Sequence, residues 1–274
     1  MKPARFDYIR AETLAETHAA LTEEGNEARV IAGGQSLLPM LSMRLARPKV
    51  VIDIMHLPEL RQIKETRNGI RVGAGVRQAE LLTWPTLAER QPLVAAALPW
   101  IGHAQTRSRG TVCGSIAHAD PSAELPLVLL ALNGEVELSS RRKRRSVVAA
   151  NFFTGMMSTA RAPDELIEAV TIPARRQGHG YAFQEFARRH GDFAIVSCAA
   201  VVSKDGVRLA IGGVGDRPMH RDLPALDGSA LDDALDVFAW ELDARDDLHA
   251  TGRYRRELVR RMGRATIEEA RRCA

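Results

Sequence analysis

A glycine-rich turn between two apolar strands constrains the fold of this 274-residue chain more than any other feature. Residues 29–31 are apolar enough to predict a short buried strand, and this strand leads into the glycines of residues 32–36. Leucines then recur at helical spacing as far as Leu45, Pro48 ends that pattern, and a second apolar run occupies residues 50–54. The sequence therefore predicts a unit of strand, glycine turn, helix and strand.

The glycine turn has the composition of a phosphate site. Gly33 and Gly34 allow positive φ, so consecutive N–H groups can point into one concavity, and the following helix adds its positive end. Gln35 and Ser36 can add side-chain donors. Taken alone, the turn leaves two interpretations open, which are a phosphate or pyrophosphate site and a tight turn without a ligand.

A second glycine-rich segment, residues 106–126, offers both space and hydrogen-bonding groups. Its small residues let a ligand approach the backbone closely, and these are Gly110, Gly114, Ser115 and Ala117. Hydrogen bonds to hydroxyl groups can come from Thr111, Ser115, His118, Asp120 and Glu124. We predict a long polar loop over residues 102–121, and such loops are uncommon in compact domains unless they are functional. The two segments together predict a ligand with two phosphates and a polyol.

The sequence pattern changes near residue 177, where strand-like runs follow one another and helices come after them. Strands first and helices afterwards indicate a separate α+β unit. The polar stretch 173–178 contains Pro and Gly and is the predicted boundary, so we expect domains at 1–176 and 177–274. The predicted strands of the second domain are 181–188, 194–202 and 207–214, and its predicted helices are 230–242 and 251–273.

The apolar runs and the cysteines argue against a membrane protein and against a metal protein. The longest apolar run, 125–132, is far shorter than the roughly 20 residues of a membrane span, and the first residues contain no stretch of signal-peptide type. We therefore expect a cytoplasmic protein. Cys113, Cys198 and Cys273 form no CxxC pair, which argues against zinc or an iron–sulfur cluster on this chain. A redox function here would use an organic cofactor.

The net charge of +4 could indicate nucleic-acid binding. The basic residues concentrate in the run 141–145 and in the last predicted helix. No aromatic residue interleaves with the run, and glutamates accompany the arginines of the helix, so a solvated hairpin tip and a solvated helix face are favoured. We predict no nucleic-acid partner.

Other motifs of known chemistry are incomplete. The Gly-Ala-Gly sequence at 73–75 would need a third glycine at position 78 for a dinucleotide fingerprint, but that residue is Gln78. His118 and Asp120 have no third ligand at useful spacing, so no metal site is predicted. No hydrolase or Walker motif is present, and no catalytic residue is assigned.

The two glycine-rich segments, in this order, resemble those of the FAD-binding medium subunits of the carbon monoxide dehydrogenase and xanthine dehydrogenase group of molybdenum hydroxylases. The resemblance is carried by 32–39 and 107–126, and it extends over nearly the whole chain, including 151–155 and 186–194. It implies an α+β protein with the FAD-binding fold of the vanillyl-alcohol-oxidase (PCMH) type. That fold has two α/β subdomains, here at about 1–55 and 56–176, and a C-terminal α+β domain with a three-stranded antiparallel sheet and helices.

The resemblance also implies one noncovalently bound FAD and its binding residues. The first segment would hold the pyrophosphate through backbone N–H groups, and the second would close on it from the other side. For Ile101 and Phe193 the resemblance implies positions beside the flavin ring, with plain core packing as the alternative. The implied cofactor-binding residues are Ala32, Gly33, Gly34, Gln35, Ser36, Leu37, Ile101, Thr106, Gly110, Thr111, Val112, Cys113, Gly114, Ser115, Ala117, His118, Asp120, Glu124, Ile167 and Phe193.

Two residues depart from the family pattern. Cys113 stands where the family usually has Gly, so a positive φ there would cost on the order of 1 kcal/mol, and its thiol would lie beside the cofactor. Glu185 stands where the family often has Lys, so a contact of that Lys with FAD cannot be carried over to this chain.

The resemblance implies an electron-transfer subunit. A molybdopterin-binding large subunit would oxidise the substrate, a small subunit with [2Fe–2S] clusters would relay electrons, and this chain would pass them to an external acceptor, with the complex a dimer of heterotrimers. Flavin suits the step from one-electron to two-electron transfer. Two alternatives are a self-sufficient flavin oxidase acting on its own organic substrate and a non-enzymatic nucleotide-binding or assembly module.

Overall fold

The first part of the chain is a small parallel sheet of three strands. One helix precedes its second strand along the chain, and another helix follows that strand. The computed structural model describes residues 2–274. Strand β3 lies in the centre and pairs in parallel with β1 and β2, with Val50 opposite both Asp7 and Ala28. The predicted strand, glycine turn, helix and strand are confirmed, although the helix ends before Leu45. The elements are β1 (Asp7–Arg10), α1 (Leu14–Glu24), β2 (Ala28–Ile31), α2 (Leu37–Ser42) and β3 (Val50–Asp53).

The second part is a five-stranded antiparallel sheet covered by short helices. Its strand order is β4-β5-β10-β6-β7, so the last strand, β10, lies in the middle of the sheet. A separate two-stranded ribbon is formed by β8 and β9. The elements are β4 (Ile63–Thr66), β5 (Gly69–Gly73), α3 (Gln78–Leu82), α4 (Leu87–Arg90), α5 (Pro92–Ala97), α6 (Ala104–Arg109), α7 (Val112–His118), α8 (Glu124–Ala131), β6 (Glu135–Ser139), β7 (Arg144–Val148), α9 (Ala149–Phe152), β8 (Phe153–Gly155), β9 (Ser158–Thr159) and β10 (Leu166–Pro173).

The predicted loop over 102–121 is wrong, because most of this segment is helical. Helices α6 and α7 occupy it and are separated by Gly110 and Thr111. The Thr111 hydroxyl accepts a hydrogen bond from the Gly114 N–H (3.0 Å) and caps α7, and Ala119 in the left-handed conformation (φ 52°) ends it. Gly114 and Ser115, two of the small residues that suggested a loop, are weaker helix formers than Ala, and the cap compensates for them.

The C-terminal part is an antiparallel sheet with two long helices on one face. The sheet has four strands in the order β11-β12-β13-β14, so the predicted three-stranded sheet is corrected to four. The missed strand, β14, lies at the edge, and only Leu223 in it is buried, so it lacks an apolar alternation. The elements are β11 (Gly180–Phe186), β12 (Val196–Ser203), β13 (Gly206–Gly212), β14 (Met219–Leu223), α10 (Gly228–Glu241) and α11 (Gly252–Arg272).

The two faces of this C-terminal sheet belong to different hydrophobic cores. Side chains alternate across a strand, so Tyr181 and Phe183 of β11 join the core of the first two parts, while Ala182 joins the core under α10 and α11. Helix α8 is buried along its whole length and packs against β12 and β13. Helix α8, together with α5 against β11, therefore joins the C-terminal sheet to the rest of the molecule.

The basic run 141–145 belongs to the β6–β7 hairpin. Arg145 forms a two-pronged ion pair with the buried Glu165 (2.7 and 2.8 Å), and Arg144 pairs with Glu168 (3.2 Å). Arg145 is the largest influence that lowers the pKa of Glu165 to about 2. The charges of Arg144 and Arg145 are thus matched within the protein. No helix among residues 2–274 has the length and apolar character required to cross a membrane.

Candidate FAD-binding site

The two glycine-rich segments meet at backbone distance. A Cβ atom on Gly33 would overlap the carbonyl oxygen of Arg109 and would lie 2.7 Å from the Cα atom of Gly110. Gly33 has no positive φ, so its role is to admit the second segment rather than to form a strained turn. The structure therefore brings the two predicted segments together into one site.

The first segment presents a row of free N–H groups. Gly34 has φ +72°, which turns the backbone between β2 and α2. No protein group among residues 2–274 accepts from the backbone N–H groups of Gly33, Gly34, Gln35, Ser36 and Leu37, whereas the Leu38 N–H bonds to Gly34. Helix α2 has six residues, so these N–H groups and not a long helix dipole supply the positive potential. The arrangement suits a pyrophosphate.

The second segment contributes fewer donors than the sequence suggested. The side chain of Thr111 is buried and used in capping α7, and the Gly114 N–H is its donor. The N–H groups of Thr111 and Cys113 have no protein acceptor in residues 2–274. Ser115, Ala117 and His118 lie on the partly exposed side of α7. Backbone groups at the start of α7 are therefore the ones available to a ligand.

Cys113 does not fit either expectation made for it. Its backbone is helical and not among the residues with positive φ, so the predicted strain is absent. The thiol is 3% exposed and donates to the Val72 carbonyl (Sγ–O 3.5 Å), so it points into the core and not towards a ligand. Burial raises its pKa to about 12. The thiol is therefore an unreactive packing group.

Two carboxyl groups lie at the end of the second segment. Asp120 follows α7, and its Oδ1 accepts from the Ser122 N–H (2.8 Å), which leaves its second oxygen for another donor. Glu124 is the first residue of α8 and is 7% exposed. Burial, assisted by repulsion from Asp120, raises the pKa of Glu124 to about 7. Both groups are suited to accept hydrogen bonds from hydroxyl groups.

A loop of the C-terminal part covers the segment before α6. His190 stacks on Trp100 with ring centroids 5.1 Å apart, and a Cβ on Gly191 (φ +90°) would lie 2.6 Å from the His103 ring. Phe193 in this loop is 72% exposed, so core packing is excluded for it, while Ile101 is buried in the core. The other candidates Ala32, Thr106, Val112 and Ile167 are buried or half-buried around these segments.

Arg107 and Gln78 shape the site, yet neither was a candidate. Arg107 Nη1 donates to the carbonyls of Ile101 (2.8 Å) and Gly102 (3.0 Å) and so fixes this segment. The Gln78 N–H donates to Gly110 (2.8 Å), and its side-chain oxygen is buried without a partner. In the sequence, Gln78 stands only as the residue that replaces the third glycine of a dinucleotide fingerprint. Arg107 lies at the start of the second glycine-rich segment, and no role was assigned to it.

These groups fit FAD. The free N–H groups of the first segment and of Thr111 and Cys113 match the acceptor oxygens of a pyrophosphate, and Asp120 and Glu124 match ribityl or ribose hydroxyls. The partnerless oxygen of Gln78, next to Gly110, offers a further acceptor.

Comparisons with known proteins identify the family of the chain. The family described as FAD binding domain in molybdopterin dehydrogenase matches residues 4–175, and the CO dehydrogenase flavoprotein C-terminal domain matches residues 181–270. The nicotine 6-hydroxylase medium subunit of Paenarthrobacter nicotinovorans is 42% identical over 91% of this chain and 92% of its own length. The glyceraldehyde dehydrogenase medium chain of Sulfolobus acidocaldarius is 36% identical over 95% of this chain and 96% of its own.

Comparison with solved structures leads to the same family. A chain of carbon monoxide dehydrogenase from Hydrogenophaga pseudoflava superposes with a TM-score of 0.95 at 32% identity, and all of both chains is covered. A chain of quinoline 2-oxidoreductase from Pseudomonas putida 86 gives 0.92 at 32% identity over 99% of each chain. The predicted family, the α+β fold with an FAD-binding domain, and FAD as cofactor are confirmed. The chain belongs to the FAD-binding medium subunits of the molybdenum hydroxylases, which are oxidoreductases.

Proposed function

We propose that this chain carries electrons from the [2Fe–2S] clusters of a small partner subunit to an external acceptor. The observation that carries the proposal is the match over nearly the full chain to proteins named as medium subunits of dehydrogenases and hydroxylases. FAD supplies the change from one-electron to two-electron transfer when it is bound. The molybdenum cofactor and the substrate belong to a large partner subunit.

In this function the residues of the chain bind and orient the cofactor. The N–H groups of residues 33–37 hold the pyrophosphate, and Gly33 keeps the second segment close enough to complete the cradle. Asp120 and Glu124 accept from hydroxyl groups. Arg107 fixes the carbonyls of 99–102, so the segment under the 190–193 loop keeps one shape. FAD is bound noncovalently, one per chain, and acid precipitation should release it into the supernatant.

Each unit of the proposed domain organisation contains its own β-sheet. The proposed flavin-binding domain comprises 1–176, with subdomains at about 1–55 and 56–176 that contain the parallel and the five-stranded sheet. Residues 177–274 form the proposed C-terminal domain with the four-stranded sheet.

The surface next to the first glycine segment supports docking of a partner. Leu38, Met43 and Leu45 are 47%, 50% and 70% exposed and lie on or just after α2, and Leu38 is the neighbour of Gly34. We call these three residues the α2 apolar surface. Exposed apolar groups beside a cofactor site are typical of an interface. The proposed assembly is a dimer of heterotrimers with the [2Fe–2S] small subunit and the molybdopterin-binding large subunit, and the three free cysteines fit a reducing cytoplasm.

Copurification from the native host tests this function. A tagged chain should recover two further subunits, with FAD, iron and molybdenum in the eluate, and the complex should reduce an added acceptor on oxidation of its substrate. Recovery of the chain alone, with FAD but without molybdenum or iron, and with unaided oxidation of an organic substrate, would favour the self-sufficient oxidase. A colourless chain without flavin would favour a non-enzymatic nucleotide-binding module.

A further inference from the structure

Glu185 is a buried acid whose carboxyl group has no partner. It lies on β11 and is 9% exposed, and neither of its carboxyl oxygens has a hydrogen-bond partner in residues 2–274. The alternation along β11 decides where it points. Tyr181 and Phe183 face the core of the flavin-binding part, while Gln184 faces away and donates to Glu269 of α11 (2.8 Å). Glu185 therefore faces the flavin-binding part.

The second segment of the FAD site lies directly against this row of the sheet. Ser197 of β12 is opposite Glu185, and Gly212 of β13 is opposite Ser197. A Cβ on Gly212 would lie 2.7 Å from the Ser197 Oγ and 3.3 Å from the Pro121 carbonyl oxygen, and the Gly213 N–H donates to that carbonyl (2.8 Å). Pro121 follows Asp120, so Glu185 adjoins the acidic end of the candidate FAD site.

No neighbouring element supplies a positive charge to Glu185. Helix α8 presents Glu124, β12 presents the hydroxyl of Ser197, which is also without a partner, and β13 presents Gly212. Helix α5 packs on β11 with uncharged residues only. The nearby charges of Asp120 and Arg107 act on Glu124 and oppose each other. A buried carboxylate without a counter-ion or a hydrogen-bond donor is costly, so Glu185 must keep its proton.

We propose that Glu185 is a positioning residue for FAD: its carboxyl group, buried without a partner, keeps its proton, and loss of that proton loosens the contact between the C-terminal sheet and the acidic end of the FAD site and so weakens FAD binding. Burial, assisted by repulsion from Glu124, raises the pKa of Glu185 to about 8. A bound cofactor with two negative phosphates favours the protonated form of Glu185 further. Loss of this proton should therefore lower FAD affinity above pH 8, by up to about tenfold per pH unit.

The test is a titration of flavin-free protein with FAD from pH 6 to pH 9, followed by flavin fluorescence. The wild-type dissociation constant should rise above pH 8, whereas Glu185→Gln should lack this rise, because the amide keeps the shape and the donor without the titration. Glu269→Gln changes a carboxyl group on the opposite face of the same sheet and should keep the wild-type profile. Identical profiles for wild type and Glu185→Gln would overturn the proposal.

A second variant and a second measurement keep the test informative if Glu185→Gln impairs folding. Glu124→Gln removes the repulsion but leaves Glu185 buried, so the rise of the dissociation constant should remain and move to lower pH, although this variant binds FAD more weakly at every pH. Melting temperatures of the flavin-free protein give the other readout. The stabilisation from a protonated Glu185 is complete below about pH 4.5 and is lost as pH rises through about 8, so wild type should lose melting temperature relative to Glu185→Gln over that range. A constant difference would contradict the proposal. These measurements concern FAD binding and are independent of the electron route proposed above.

Discussion

At the scale of single residues, Gly34 is the position in the first glycine segment where both the backbone and a neighbour require glycine. Its φ is +72°, and a Cβ would lie 2.9 Å from Leu38 Cδ1. Gly34→Val should therefore abolish FAD binding while the protein stays soluble, since the free N–H row of residues 33–37 would be displaced. Flavin content per chain after purification measures this.

Gly178 provides a matched control for Gly34. Its φ is +71°, but a Cβ there would meet nothing within 4 Å. Gly178→Val therefore carries the same backbone strain, about 1–2 kcal/mol, without reaching the site. This variant should lose stability and keep its FAD. Full flavin content in Gly34→Val would show that the first glycine segment does not hold the cofactor, and loss of flavin in both variants would show that backbone strain alone removes it.

Cys113 gives a second prediction at the residue scale. Because the thiol packs against Val72 and does not face the site, Cys113→Gly should keep FAD and lose stability. A glycine in a helix costs about 1 kcal/mol, and loss of the buried side chain adds a similar amount, so the melting temperature should fall by a few degrees. Calorimetry of the loaded protein measures this, and loss of FAD would contradict the packing role.

At the scale of secondary-structure elements, Arg255 joins α11 to the sheet beneath it. The side chain is 3% exposed and donates to the carbonyls of Ile195 and Gly213 (2.8 Å to the latter) and to the Asp247 carboxylate. Arg255→Ala leaves these carbonyls buried without donors and should cost about 3 kcal/mol. Chemical denaturation measures the loss. Arg253→Ala, at an exposed position on the same helix, should change stability by less than about 0.5 kcal/mol.

Local patterns explain which elements were predictable. The glycine turn at 32–36 was placed correctly between a strand and a helix because apolar spacing and glycines act within a few residues. Helices α6 and α7 were missed because their stability depends on the Thr111 cap and on contacts with Val76 and Gln78, which are distant in sequence. Strand β14 was missed because pairing with β13, and not its own composition, makes it a strand.

Some features of the candidate site residues also follow from the local sequence, whereas others depend on contacts with distant residues. The backbone N–H groups of residues 33–37 have no protein acceptor, since two glycines before a helix leave its first donors unpaired, and their role in binding FAD stays a prediction. Thr111 and Cys113 were recognised by position, but their side chains act in capping and packing. Arg107 acquires its role only when the carbonyls of 99–102 turn towards it, and no sequence pattern records that turn.

At the scale of the whole molecule, the α2 apolar surface and the basic run 141–145 are the two obvious candidates for a partner-binding surface. The run is the less suitable, because Arg144 and Arg145 are already paired with Glu168 and Glu165. Arg141 and Arg142 are exposed and can be neutralised without breaking those pairs. The α2 apolar surface adjoins the first glycine segment and has no such internal partners.

Replacing Met43 and Leu45 by Glu should therefore weaken assembly with the iron–sulfur subunit. Both side chains are half or more exposed, so the change should leave the fold and the FAD content intact while placing two charges in an apolar contact. The ratio of iron to FAD in the copurified complex should fall at least tenfold, whereas Arg141→Ser with Arg142→Ser should keep the wild-type ratio. If the arginine pair lowers the ratio and the Met43 and Leu45 changes do not, the partner binds at the β6–β7 hairpin and the α2 apolar surface has another occupant.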